Sequence, residues 1–219
     1  MSESTVGRIV AKLVRLGRVR PVAFYYGRVK PKRRWQFTHH AKRWRYGMKA
    51  KAPGELMQLD HMSISFTEGE VVKEFKATCP VSKWSGLRVC RRATSGNARR
   101  FLEALRKEAP FPIHSIQVDG GSEFRDEFEQ ACQDLDIPLY VLPPKKPEYN
   151  GCVERANGTS RYEFYPFYEG PLTVAAINRK LTEYQDHYNT YRPHDGIGLL
   201  TPMEYYQQIT QPACESHMS

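Results

Sequence analysis

Three acids stand where elements of this 219-residue chain begin or end: Asp60 in MQLDHMS, Asp119 in IQVDGGSEF and Glu154 in NGCVERANG. Apolar neighbours bury the surroundings of Asp60 within a strand. Gly120 and Gly121 let the backbone turn sharply after Asp119, and Glu154 opens a helix 35 positions further on. Singly, each is one of 24 acids and says little. Taken together they are informative, because ligands at strand ends converge outside the carboxyl edge of a sheet. Three carboxylates within a few ångströms of one another repel strongly, and a divalent cation makes such a cluster tolerable. Oxygen-only ligands with open positions suit Mg²⁺ or Mn²⁺. Two such ions ~4 Å apart activate a water or a 3′-hydroxyl and stabilise the leaving oxygen of a phosphodiester.

The elements that must position these acids are legible from periodicity. ELMQLDHMSISF, VVKEFKATCPVSKW and GLRVCRRA read as three successive strands of a meander. SGNARRFLEALRKEAP is a helix with Phe101, Leu102 and Leu105 on one face and Pro110 as its terminator. IHSIQVD reads as a short buried strand, EFRDEFEQACQDLDI as a helix and PLYVL as a fifth strand. Helices at about 151–165 and 173–190 follow. The order predicts an α/β (α+β) domain with a mixed five-stranded sheet flanked by helices. Ahead of it, residues 2–16 form an amphipathic helix stopped by Gly17, and residues 17–53 a linker broken by Pro21, Pro31 and Gly47.

Charge divides the chain in the same place. Residues 1–52 hold fifteen of the 33 Lys and Arg against one acid, a local balance of +14, and the remainder is −5. This basic arm, with Arg33, Arg34, Arg43 and Arg45 among Trp35, Phe37, Trp44 and Tyr46, offers phosphate neutralisation and stacking faces, as polyanion binding requires. The five cysteines are scattered, with no C-x-x-C pair, and read as reduced thiols. No apolar run approaches the ~20 residues of a membrane span, and no signal segment opens the chain, so a cytoplasmic, DNA-associated protein is expected.

Several runs carry a resemblance. LDHM, VDGGSEF, PPKKPEYNGCVERANGT, YEFY and YNTYRPHDGIGLLTPMEYY together resemble the DDE integrase core shared by retroviral integrases and the transposases of bacterial insertion sequences. The likeness covers about Glu55 to Tyr206. It implies a ribonuclease H-like fold and makes Asp60, Asp119 and Glu154 a metal-binding catalytic triad served by two Mg²⁺ or Mn²⁺ ions. It implies cleavage and strand transfer of DNA, and a homo-oligomer holding element ends and target. It also makes the segment before Glu154 a loop that meets DNA, with Lys145 and Lys146 on phosphates and Arg155 and Arg161 following on the helix. Gly120 departs from the commonest family form, which has Asn there. His61 should point to the opposite strand face from Asp60 and pack or hydrogen-bond there. The Arg192-Pro193-His194 run closes the core, and His39-His40 has no zinc partner in the arm.

The first helix resembles the recognition helix of a helix-turn-helix with no scaffold helix before it. The expected organisation is a partial helix-turn-helix at 1–16, a basic aromatic linker at 17–53, an integrase-like core at 54–208 and a tail at 209–219, the carboxy-terminal portion of a longer transposase. A remnant that binds DNA without chemistry, or a ribonuclease H-type nuclease, are the rival readings.

Overall fold

In a computed structural model, which describes residues 3–20, 37, 38, 40–66, 69–143 and 147–211, the chain divides into two units, Met1–Gln36 and Phe37–Ser219. The first holds helix α1 (Glu3–Arg15), closed by Gly17 at φ 65 with the Arg18 N–H donating to the Leu13 carbonyl. Val6, Ile9 and Val10, the apolar stripe read from sequence, are exposed.

The second unit is built on one six-stranded sheet. Its strands are β1 (Lys42–Arg43), β2 (Met57–Ser65), β3 (Val71–Thr78), β4 (Ser85–Cys90), β5 (Ile116–Val118) and β6 (Leu139–Val141), in the order β1-β6-β5-β2-β3-β4. The β2-β3-β4 meander is antiparallel, whereas β5 joins β2, β6 joins β5 and β1 joins β6 in parallel. The sixth strand corrects the expected five. Its two residues come from the segment read as linker, and are too few to show alternation. Buried Glu129 docks them, accepting from the Thr38 and Ala41 N–H groups and the Thr38 hydroxyl.

Helices cover both faces. Odd-numbered residues of β2 and β3, Met57, Leu59, Phe75 and Ala77, pack with α2 (Ser95–Glu108) and α3 (Glu127–Asp134). Even-numbered Met62, Ile64 and Val72 pack toward α5 (Val174–Thr190). The helix expected over 123–137 is split, because Asp126 takes φ 48 and separates a short 3₁₀ turn from α3. A helix not foreseen, α6 (Pro202–Thr210), starts with a capping box between Thr201 and Glu204.

The helix bearing Glu154, α4 (Gly151–Glu163), lies on the even face. Its underside is half polar, with Asn157 and Ser160 buried beside Val153 and Ala156. Buried Gln58, Glu74, Lys76 and Gln117 face it from the sheet. Hydrogen bonds therefore help to seat this helix, as they do α5, whose Asn178, Gln185 and Asn189 bond the backbone of β4.

Candidate active site

Asp60 and Asp119 come together through strand register. Gln58 of β2 pairs with Gln117 of β5, and carrying that parallel register two residues onward sets Asp60 beside Asp119. On its other side Asp60 faces Lys76 of β3. Asp119 follows the last residue of β5, where Gly120 takes φ 89 and a Cβ would stand 3.1 Å from Val141 Cγ1. That left-handed turn favours glycine and accounts for Gly120 here. The Asp119 Oδ1 then accepts from the Gly121 N–H at 2.9 Å.

Glu154 reaches the same margin through α4. Asn157, three residues on and so on the same helix face, donates its amide to Asp60 Oδ2 at 2.9 Å. Asp60 Oδ1 accepts from the His61 N–H at 2.8 Å. Burial, then the charge of Asp119 and more weakly that of Glu154, push the Asp60 carboxyl up to about 6. The three acids thus share one electrostatic field. As placed, no three His, Cys, Asp or Glu side chains among the described residues stand close enough to hold one ion. Like charges favour rotamers that spread them, and the exposed Glu154 carboxylate has no hydrogen bond among the described residues to resist. An all-oxygen donor set with one group so perturbed fits a hard divalent cation.

The support beneath the acids was not read from the sequence. Gln58 Oε1 accepts from the Cys152 and Val153 N–H groups at 3.1 and 3.3 Å, filling first-turn positions that an α-helix leaves open. The side-chain amides of Gln58 and Gln117 both donate to the Tyr149 carbonyl, at 3.0 and 2.7 Å. Lys76 Nζ donates to the Ala156 carbonyl and Ser160 Oγ, each at 2.6 Å, and pairs with Glu74 at 3.0 Å. Glu74 also accepts from the Ser160 and Tyr165 hydroxyls. Burial pushes the Lys76 ammonium below the usual lysine range. A signal for part of this was present: each aspartate is preceded two positions earlier by glutamine, Gln58-Leu59-Asp60 and Gln117-Val118-Asp119, the period that keeps side chains on one strand face.

His61 does turn to the opposite face, where Nδ1 lies 2.7 Å from Glu123 Oε1, and that contact holds the imidazole above its usual pKa. Arg155 and Arg161 are exposed on α4, the latter donating to Met62 Sδ at 3.7 Å. Arg43 lies in edge strand β1, and Arg45 is exposed just beyond it. Trp44, expected as a free stacking face, is stacked on Tyr149 with ring centroids 4.3 Å apart. Arg33, Arg34, Lys145 and Lys146 lie outside the described residues, as does His39. His40 contacts the Ile137 carbonyl at 2.8 Å.

Residues 135–202 match the integrase core domain family model. That stretch is similar to an integrase core, and the similar curated proteins are transposases of insertion sequences. It is 32% identical over 112 residues to the transposase for insertion sequence element IS4351 of Bacteroides fragilis, covering 51% of this chain and 32% of that protein. Over 92 residues it is 29% identical to the IS2 transposase InsD of Escherichia coli, covering 42% and 30%. The matched stretches therefore span about a third of these curated relatives. The chain shares its fold with the HTLV-2 integrase catalytic core domain solved in complex with magnesium, at TM-score 0.58 and 15% identity over 72% of this chain and 99% of that one. A simian T-cell lymphotropic virus intasome structure matches at TM-score 0.63 and 18% identity, over 93% and 75%. The fold is ribonuclease H-like.

Proposed function

We propose that this integrase core cleaves DNA phosphodiester bonds and joins the freed 3′ ends to target DNA, as a transposase. The observation that carries the reading is the approach of Asp60, Asp119 and Glu154 from β2, the end of β5 and the start of α4 to one margin of the sheet, with Asp60 raised to about 6 by burial and its neighbours. On this reading the three carboxylates would hold Mg²⁺ or Mn²⁺, two ions in all, which would supply Lewis-acid activation of an attacking hydroxyl and charge stabilisation at the leaving oxygen. Asn157 fixes the rotamer of Asp60, while Gln58 and Gln117 hold the start of α4 and so aim Glu154. Arg155 and Arg161 meet phosphates of the strand lying on α4. Lys145, Lys146, Arg33, Arg34, Arg43 and Arg45 supply sequence-independent phosphate contacts. Holding two element ends calls for a homo-oligomer on DNA. A cytoplasmic place suits such a protein, and no helix among the described residues is long and apolar enough to cross a membrane.

The test compares the parent with Glu154→Gln on oligonucleotides bearing element ends, in Mg²⁺ and in Mn²⁺. The substitution removes one charge and keeps size, so DNA binding should persist. Cleavage and joining should fall by about 10³-fold or more, a barrier about 4 kcal/mol higher. Equal activity in the two proteins would refute the triad. A parent that binds DNA but is inert points to a remnant, and one that cleaves without joining points to a hydrolase.

A further inference from the structure

On the flank of α4 away from Glu154 lies a cleft of about 390 Å³. One wall is the α4 face carrying Arg155 and Thr159, another is the β3–β4 turn carrying Lys83, and the third is the segment after α5 from Tyr188 through Arg192 to Gly196. Two of its cations meet no carboxylate among the described residues. The exposed Arg155 guanidinium meets no carboxylate among the described residues. Lys83 is half-buried, yet its ammonium is bonded to the Pro80 carbonyl and to no carboxylate among the described residues. Its backbone sits at φ 64, a strained choice for lysine, and its Cε would stand 3.5 Å from a Cβ at Gly196. Arg192 is committed on one edge to Glu163, in a two-pronged pair at 2.7 and 2.8 Å, and Asp195 adds one acid to the lining. Cations that no carboxylate neutralises attract an anion from solution.

Gly158 supplies the second observation. It sits in mid-helix, where glycine costs about 1 kcal/mol relative to alanine. A Cβ there would meet nothing within 4 Å, so packing does not require glycine. At about 100° per residue, Gly158 falls between Glu154 and Arg155 around the helix. The bare strip runs from the carboxylate margin toward the cleft, and allows a polymer backbone to lie close against α4.

We infer that the cleft between Lys83, Arg155 and Arg192 binds a phosphate of the DNA strand that crosses α4 over Gly158 after passing Glu154. The inference rests on the DNA-joining reading above. It adds a fixed phosphate register on the far side of the catalytic helix, so that the strand is gripped on both flanks of Glu154.

Methylphosphonates, which are neutral, are placed one at a time in an oligonucleotide duplex with a single-stranded end, and affinity is measured for the whole chain, Lys83→Gln, Arg155→Gln and the control Arg106→Gln on exposed α2. Thermal unfolding confirms that each variant is folded. At one position the methylphosphonate should weaken the parent and the control about tenfold while weakening the Lys83 and Arg155 variants little further, the non-additivity of groups in contact. The slope of log affinity against log salt should also shrink by about 0.9 for each lost contact. Additive effects at every position, with slopes unchanged, overturn the inference. So does binding of inorganic phosphate that the two variants lose while the affinity of the parent for DNA stays unchanged, which would make the cleft a free-anion site. Because binding is read without turnover, an inactive parent that shows the coupling leaves the phosphate site standing while the joining reading fails.

Discussion

Replacing Asp60 with Asn tests whether burial and the neighbouring acids together perturb Asp60. In the folded chain burial and the charges of Asp119 and Glu154 raise Asp60 from 3.8 to about 6. Two units correspond to about 3 kcal/mol, an upper figure since part of the group still meets water. The folded protein keeps this proton after the unfolded chain has released it, so the stability of metal-free wild type falls as pH rises from about 3.8 to about 6 and is level above. The amide of Asp60→Asn would carry no charge and lose that window. It also keeps its neighbours: Oδ1 can still accept from the His61 N–H, and the Asn157 amide can flip to offer Oδ1, a buried oxygen without a partner, to the new amide. Asp60→Asn should therefore match wild type near pH 4 and exceed it by about 2–3 kcal/mol at pH 7 without metal. Urea unfolding at a series of pH values with a chelator reads the difference. Adding Mg²⁺ at about 100 times its Kd should recover about 2.7 kcal/mol in wild type, and far less in the variant. A variant no more stable than wild type at pH 7, with a difference that does not change with pH, would show that neither burial nor the neighbouring carboxylates perturb Asp60 and would undo the cluster argument.

The polar seat of α4 gives two further expectations. Lys76→Met leaves Glu74 buried without its ammonium and should cost about 3–5 kcal/mol in urea unfolding, with part regained in the Glu74→Gln/Lys76→Met double variant. Equal loss in single and double variants would show that the pair is not the source. Gln58→Leu removes the acceptor of two first-turn N–H groups and a donor to Tyr149, for about 2–3 kcal/mol, and should speed hydrogen exchange at the Cys152 and Val153 amides ahead of the rest of α4. Unchanged exchange there would refute the seating role.

Much of this was written locally. The alternation of β2, with Met57 and Leu59 on one face and Gln58, Asp60, Met62 and Ile64 on the other, already separates the two layers and turns His61 away from Asp60. The glycines after Asp119 announce its turn, and the resemblance to an integrase core is legible in the runs around Asp119, Glu154 and Arg192 because these depend on residue type at short spacing. What no local pattern carries is partnership across the chain. The two-residue β1 strand exists only because Glu129, 88 positions beyond Ala41, collects the backbone donors of that segment. The half-polar underside of α4 looks unfit for burial until Gln58, Lys76 and Gln117 arrive from three strands to satisfy it and the backbone beside it. Residue type and period decide which face a side chain takes, since each is fixed by a few neighbouring dihedrals. Which buried donor meets which acceptor, and so how far Asp60 is raised, waits on register between strands distant in sequence.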